Sequence, residues 1–265
     1  MSVILIDSNI WLEFYASSKL KELLPLLIDY KEHLCITGQI VKEVQRNRLR
    51  RAKKFLDASY PQKAPKIGVP GHLLALEEKT QKRIESFNNE AESITRDLQG
   101  LYLEVLKLIA TGTDCVSVEL SKLFQDSIDA TKDEIDRAHY RELVGNPPGK
   151  PNDPLGDQLT WEQYLSRAAK SSKFWIITRD RDYYDTLFGD VIAINPLLLR
   201  DLTDRAGKEV EARCFQTLAA GMKDFAAIHP PPPKTLPAEE TIAEIQKEEE
   251  QISSYYPFGE PGPPA

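Results

Sequence analysis

Val3-Ile4-Leu5-Ile6-Asp7-Ser8-Asn9 is the stretch from which the rest of the chain is read. Four apolar residues stopped by a polar triplet describe a strand buried on both faces and leaving the core, so Asp7 falls at its C-terminal end. Outward from there, Trp11, Leu12, Leu20, Leu23, Leu24, Leu27 and Ile28 form the apolar face of a helical stretch. Leu34-Cys35-Ile36-Thr37 then reads as a second strand stopped by Gly38, and Glu43 lies in the first turns of the next helix. A third strand is expected from Lys173 to Thr178, and Asp180 stands to it as Asp7 stands to the first. Asp157 precedes the helix of Leu159, Trp161, Tyr164, Leu165 and Ala168. A crossover helix runs antiparallel to its strands, so that N-terminus lies over the same sheet edge.

The pattern is α/β with a parallel sheet, and its C-terminal edge is where such folds place ligands. Here that edge is expected to carry Asp7, Glu43, Asp157 and Asp180. Like charges gathered at low effective dielectric must protonate, splay apart or bind cations. An all-carboxylate set suits Mg²⁺ or Mn²⁺, one ion or two, better than Zn²⁺. Ordinary readings stand beside this one. Asp7 and Asp157 each suit a helix N-cap, and Glu43 suits a solvated helix face. Asp182 competes with Asp180 or joins it as a ligand; Asp153 shadows Asp157, but the Gly156-Asp157 pair at a helix start favours Asp157.

These motifs resemble the PIN-domain nucleases. The resemblance rests on Ile6-Asp7-Ser8-Asn9, on Thr37 to Glu43, on Leu155-Gly156-Asp157 and on Ile177-Thr178-Arg179-Asp180-Arg181-Asp182-Tyr183, covering residues 1–60 and 150–200. Gly145 to Lys150 ahead of Gly156-Asp157 is similar to a PIN-like subfamily with a helical insertion. The resemblance implies a three-layer α/β/α fold over residues 1–227, with the insertion at about 65–150. It also implies two metal ions about 3.5–4 Å apart across the scissile phosphate, with cleavage leaving 5′-phosphate and 3′-hydroxyl ends. Asp7 would bridge the ions, and Asn9 and Thr178 would orient ligands, water or phosphate oxygens. Between the two loop acids, the resemblance favours Asp180.

A phosphodiesterase must also hold a polyanion, whereas the whole chain carries a net charge of −7. From residue 228 onward, seven Glu and two Lys give −5, which leaves −2 for residues 1–227. Within that body, Arg46, Arg50 and Lys53 share a helix face with Glu43 and form a row suited to a nucleic-acid backbone. Arg179, Arg181, Arg137, Arg141 and Lys150 are further candidates for phosphate contact. The expected substrate is RNA, single-stranded or structured, more than DNA. A toxin or defence effector restrained by a partner is one setting.

Ile84, Phe87, Ala91, Ile94, Leu98, Leu101, Val105 and Leu108 follow three-four spacing and predict a long helix, about residues 84–109, ending near Gly112. Its seam either packs on neighbouring helices or meets a partner or second copy. Shorter helices are expected over 118–124 and 128–143. Residues 228–265 hold half of the 18 prolines, so this acidic tail is expected to be extended or disordered, apart from a short helix around 239–252. Tyr255, Tyr256 and Phe258 form an end suited to docking. No run approaches a membrane span, and three scattered cysteines suit a reducing, cytoplasmic compartment. Two other functions compete. One is a PIN-like module that binds nucleic acid or protein with little or no catalysis. The other is a haloacid-dehalogenase-type phosphatase, disfavoured because Asn9 stands where a second Asp is required.

Overall fold

The computed structural model describes residues 2–59, 63–68, 78–149, 155–188, 191–233 and 235–255. Strand β1 (Ser2–Ile6) pairs in parallel with β2 (Lys173–Ile177), and β2 with β5 (Glu211–Phe215). On the other side of β1, Leu34 forms an isolated parallel bridge to Ile4, and Cys35 N donates to Ile4 O at 2.8 Å. The chain thus leaves β1 toward one side and returns on the other, which puts Asp7 at the switch of strand order. The segment 34–37 was expected as a full strand and is only bridged, at Leu34 and Thr37. Helix α3 (Gly38–Ser59) begins one residue later, so the extended run is too short to make a ladder.

Successive strand residues face opposite sides of a sheet, and β2 shows how two layers use this. Phe174 meets Tyr164 of α7 (Gly156–Ala168), while Trp175 meets Phe225 of α9 (Leu218–Ile228). Gly221 of α9 lies so close to Ile177 that a Cβ there would fall 2.5 Å from its Cδ1. The result is the α/β/α sandwich expected of the sequence, with Trp161, Tyr164, Phe174, Trp175 and Phe225 fully buried. Each such side chain contributes about 1.5–3 kcal/mol of hydrophobic burial. A hairpin of β3 (Tyr184–Phe188) and β4 (Val191–Ile194), and the strand β5, were not anticipated. Helix α8 (Pro196–Ala206) follows the hairpin.

Between α3 and α7 lie α4 (Glu78–Thr111), α5 (Cys115–Phe124) and α6 (Lys132–Leu143). The chain divides into two compact units, Met1–Asn47 with Glu119–Ala265, and Arg48–Val118. In the first, α6 starts at a capping box made by Thr131 and Glu134 and packs along α7. Within the second, α4 stops at Gly112, whose φ of 72° suits glycine. Asn88 of α4 exchanges two hydrogen bonds with the backbone of Ile67, and Tyr102 donates to Asp57 at 2.6 Å. The heptad residues Phe87, Ile94, Leu98, Leu101, Val105 and Leu108 are 41–58% exposed, so this seam is not the packed face of the helix.

The helix expected in the tail is α10 (Glu239–Tyr255), and it is docked on α9. Ile242, Ile245 and Ile252 are buried, and Glu249 completes their three-four-three stripe at 0% exposure. The helix was expected and its packing was not, because the run Lys247 to Glu250 conceals an apolar stripe with one acidic member. Lys150, Asp153, Tyr256 and Phe258 lie outside the described residues. Among the described residues, no helix is long and apolar enough to cross a membrane.

Candidate metal centre

Asp7 is the N-cap of α1 (Ser8–Glu13), with extended backbone angles. Its carboxylate accepts from Ser8 N, Asn9 Nδ2 and Thr178 Oγ1, each at 2.6 Å. The side chain is buried, and burial raises its pKa from 3.8 to about 6. Thr178 opposes that rise, while the nearby charges of Glu43 and Asp180 add to it.

Glu43 lies in the second turn of α3, where Gln39 Nε2 donates to its Oε1 at 2.6 Å. Gly156, which opens α7, sits against it: a Cβ at 156 would fall 2.4 Å from Glu43 Oε1. This contact brings the start of α7, and hence Asp157, to Glu43. Asp180 N donates to Thr178 Oγ1 at 2.9 Å, and Asp180 Oδ1 accepts from Asp182 N at 3.1 Å. Asp182 turns elsewhere, accepting from Gly149 N at 3.1 Å.

Tyr183, buried in the loop after Asp180, was not anticipated as part of this region. It is 1% exposed, and its phenol pKa is pushed well above the ordinary value, first by burial and then by Asp157, Asp7, Asp180 and Glu43. One buried hydroxyl is therefore within electrostatic reach of all four carboxylates. An aromatic residue three positions after Asp180 was the signal available in the sequence.

The donor chemistry fits a hard divalent cation, being carboxylate and amide oxygen. Asn9 Oδ1 is buried without a hydrogen-bond partner beside Asp7, which is an acceptor waiting for a positive charge or a donor. Among the described residues, no three His, Cys, Asp or Glu side chains form a finished cage around one ion. Ser8, Asn9, Thr178, Gln39 and the backbone of Asp182 take up carboxylate oxygens instead.

Two expected phosphate contacts are corrected, Arg179 and Arg141. Arg179 is buried and forms an ion pair with Glu13 at 2.6 Å, so it does not face substrate. A charge that deep must be paired to be tolerated. Arg141 Nη2 lies 2.8 Å from both Glu162 and Asp201, and Arg137 donates to Glu162 at 2.9 Å. Arg46 is exposed and 3.9 Å from Glu43. In the second unit, Arg50 is exposed and Lys53 pairs with Asp57.

A family model described as PIN domain matches residues 4–183. The match opens inside β1 and closes at Tyr183, so it takes in all four acids. No curated protein and no solved structure matches the chain. PIN domains are in general nucleases that use divalent metals. The chain belongs to the PIN-domain family.

Proposed function

We propose that the chain is a metal-dependent endoribonuclease whose site is made by Asp7, Glu43, Asp157 and Asp180. The observation that carries this reading is the Thr178 hydroxyl shared by the Asp7 carboxylate and the Asp180 backbone, together with the close approach of Glu43 to Gly156 beside Asp157. Asp7 is oriented by three donors and remains acidic enough to ionise near neutral pH. Asn9 presents an unsatisfied oxygen beside it, and Thr178 holds Asp7 and the Asp180 backbone in one geometry. Bound Mg²⁺ or Mn²⁺ supplies Lewis-acid polarisation of the phosphate and a nucleophile at neutral pH. The exposed Arg46 beside Glu43 supports a path for an RNA backbone at the rim. The exposed α4 seam supports a protein partner or a second copy, and a restrained toxin or defence effector is the setting consistent with that.

A non-cleaving binding module is the second reading, favoured by the capture of Asp7 as a helix cap. End-labelled RNA and DNA incubated with Mn²⁺, Mg²⁺ or EDTA separate the two. The nuclease reading expects RNA cut to 5′-phosphate and 3′-hydroxyl ends with metal, no cutting with EDTA, and loss of cutting in Asp7→Asn. Retention of intact RNA on the protein under every condition establishes the binding module instead.

A further inference from the structure

The loop that carries Asp180 is gripped from behind. Thr178 holds the Asp7 carboxylate and the Asp180 backbone, whereas the side chain of Arg179 between them turns to Glu13 and is 7% exposed. There its Nε lies 2.6 Å from Glu13 Oε1, and its Nη2 donates to Glu13 Oε2 at 3.0 Å. The same Nη2 donates to the backbone oxygen of Glu249 at 2.7 Å. Glu13 is fully buried in α1, the helix that Asp7 caps. Glu249 is fully buried in α10, and its carboxylate accepts from Leu218 N at 2.7 Å and Ala219 N at 3.0 Å at the start of α9. Further along α10, Glu248 accepts from Ser18 N and Lys19 N at 3.2 and 3.1 Å, so the helix also clips the turn after α1.

One guanidinium thus joins the helix of the first acid, the loop of the fourth acid and the C-terminal helix. An arginine fork has a fixed plane, and here Nη2 is shared between Glu13 Oε2 and Glu249 O while Nε stands in ion-pair range of Glu13 Oε1. Apolar side chains of similar size can replace such a buried pair when both charges are removed together.

We propose that Arg179, clamped by Glu13 and the tail helix, is a positioning residue that holds Asp180 in register with Asp7, making α10 a working part of the metal centre. The inference rests on the metal-dependent reading above. Partners that orient ligands in this way change metal affinity by about 10–100-fold when lost.

The test uses full-length protein. Glu13→Leu combined with Arg179→Met replaces the buried pair with apolar side chains of similar size, a change that folds commonly tolerate. A merely structural role is satisfied by that pair. The proposal expects a wild-type melting temperature, an Mn²⁺ dissociation constant at least about tenfold higher by electron paramagnetic resonance, and about tenfold faster amide exchange over residues 178–183 in metal-free protein. For RNA it expects a fall in kcat with KM changed by less than about twofold. Arg179→Lys, which keeps the charge but loses the fork, should fall between wild type and the double variant, and it decides the matter if the double variant does not fold. Ile245→Asp, which undocks α10 far from the acids, should speed the same loop exchange. Wild-type Mn²⁺ affinity and loop exchange in the double variant or in Arg179→Lys overturn the clamp; unchanged exchange in Ile245→Asp overturns the tail's part in it. Asp7→Asn is measured alongside: if wild type shows no Asp7-dependent Mn²⁺ binding, the metal reading fails first, and the clamp with it.

Discussion

Thr178 Oγ1 donates to Asp7 Oδ2 at 2.6 Å while accepting from Asp180 N at 2.9 Å. One hydroxyl therefore sets the spacing of two acids that come from opposite ends of the matched domain. Thr178→Val keeps the shape and removes both bonds. A hydrogen bond to a charged group contributes ~1.5–3 kcal/mol, or about one to two pKa units. The acid limb of the pH profile of kcat/KM should move upward by about that much. A limb that stays in place contradicts this role.

Gly156 has no room for a side chain against Glu43. Gly156→Ala must push Glu43 or the start of α7 aside, and overpacking of this kind costs ~1–3 kcal/mol. The stability loss should be modest while cleavage falls by about tenfold or more, since sub-ångström displacement of a reacting group is costly. Full activity in the alanine variant, measured with a melting curve on the same sample, argues that Glu43 does not act where it stands.

Arg141 tests the distinction between holding the fold and holding substrate. It is buried, paired with Glu162 and Asp201, and donates to Pro147 O at 2.8 Å. Arg141→Ala strands the carboxylates and should cost ~3–5 kcal/mol by denaturant titration. The salt dependence of RNA affinity in the folded fraction should be unchanged. A salt slope lowered by about one is instead the sign of a phosphate contact.

Asp7 and Glu249 both have raised pKa values in the fold, to about 6 and about 8. Burial is the larger cause in each, followed for Glu249 by the charge of Glu13. An acid raised by folding favours the native state most below its ordinary value. Metal-free protein should therefore lose stability as pH rises from 3.8 to about 6 through Asp7, and onward to about 8 through Glu249. Mn²⁺ binds the ionised carboxylate, so its stabilising effect should be small at pH 5 and large at pH 8. Calorimetric melting with EDTA and with Mn²⁺ at both values checks the sign. An equal metal-induced shift at the two pH values refutes it.

Sequence legibility followed the physics of each element. The strand before Asp7 and the strand before Asp180 were readable because continuous burial leaves a continuous apolar run. The helix that opens at Gly156 was readable from its apolar face of Leu159, Trp161, Tyr164, Leu165 and Ala168. The bridged segment at Leu34 and the hairpin after Tyr184 were obscured by their shortness. The role of Arg179 was invisible for a different reason: a loop arginine beside an acid looks the same whether it faces phosphate or a buried Glu13. Glu249 was hidden inside an acidic run whose neighbours are solvated, although Ile242, Ile245 and Ile252 mark the stripe it completes.

The central claim is that Asp7, with Glu43, Asp157 and Asp180, holds a divalent cation. Titration of Mn²⁺ into full-length wild type and Asp7→Asn, followed by calorimetry at pH 8, tests it directly. The account predicts saturable binding of one or two ions by the wild type and at least about tenfold weaker binding by Asp7→Asn, with the fold intact. Equal binding by both proteins, or none by the wild type, contradicts it.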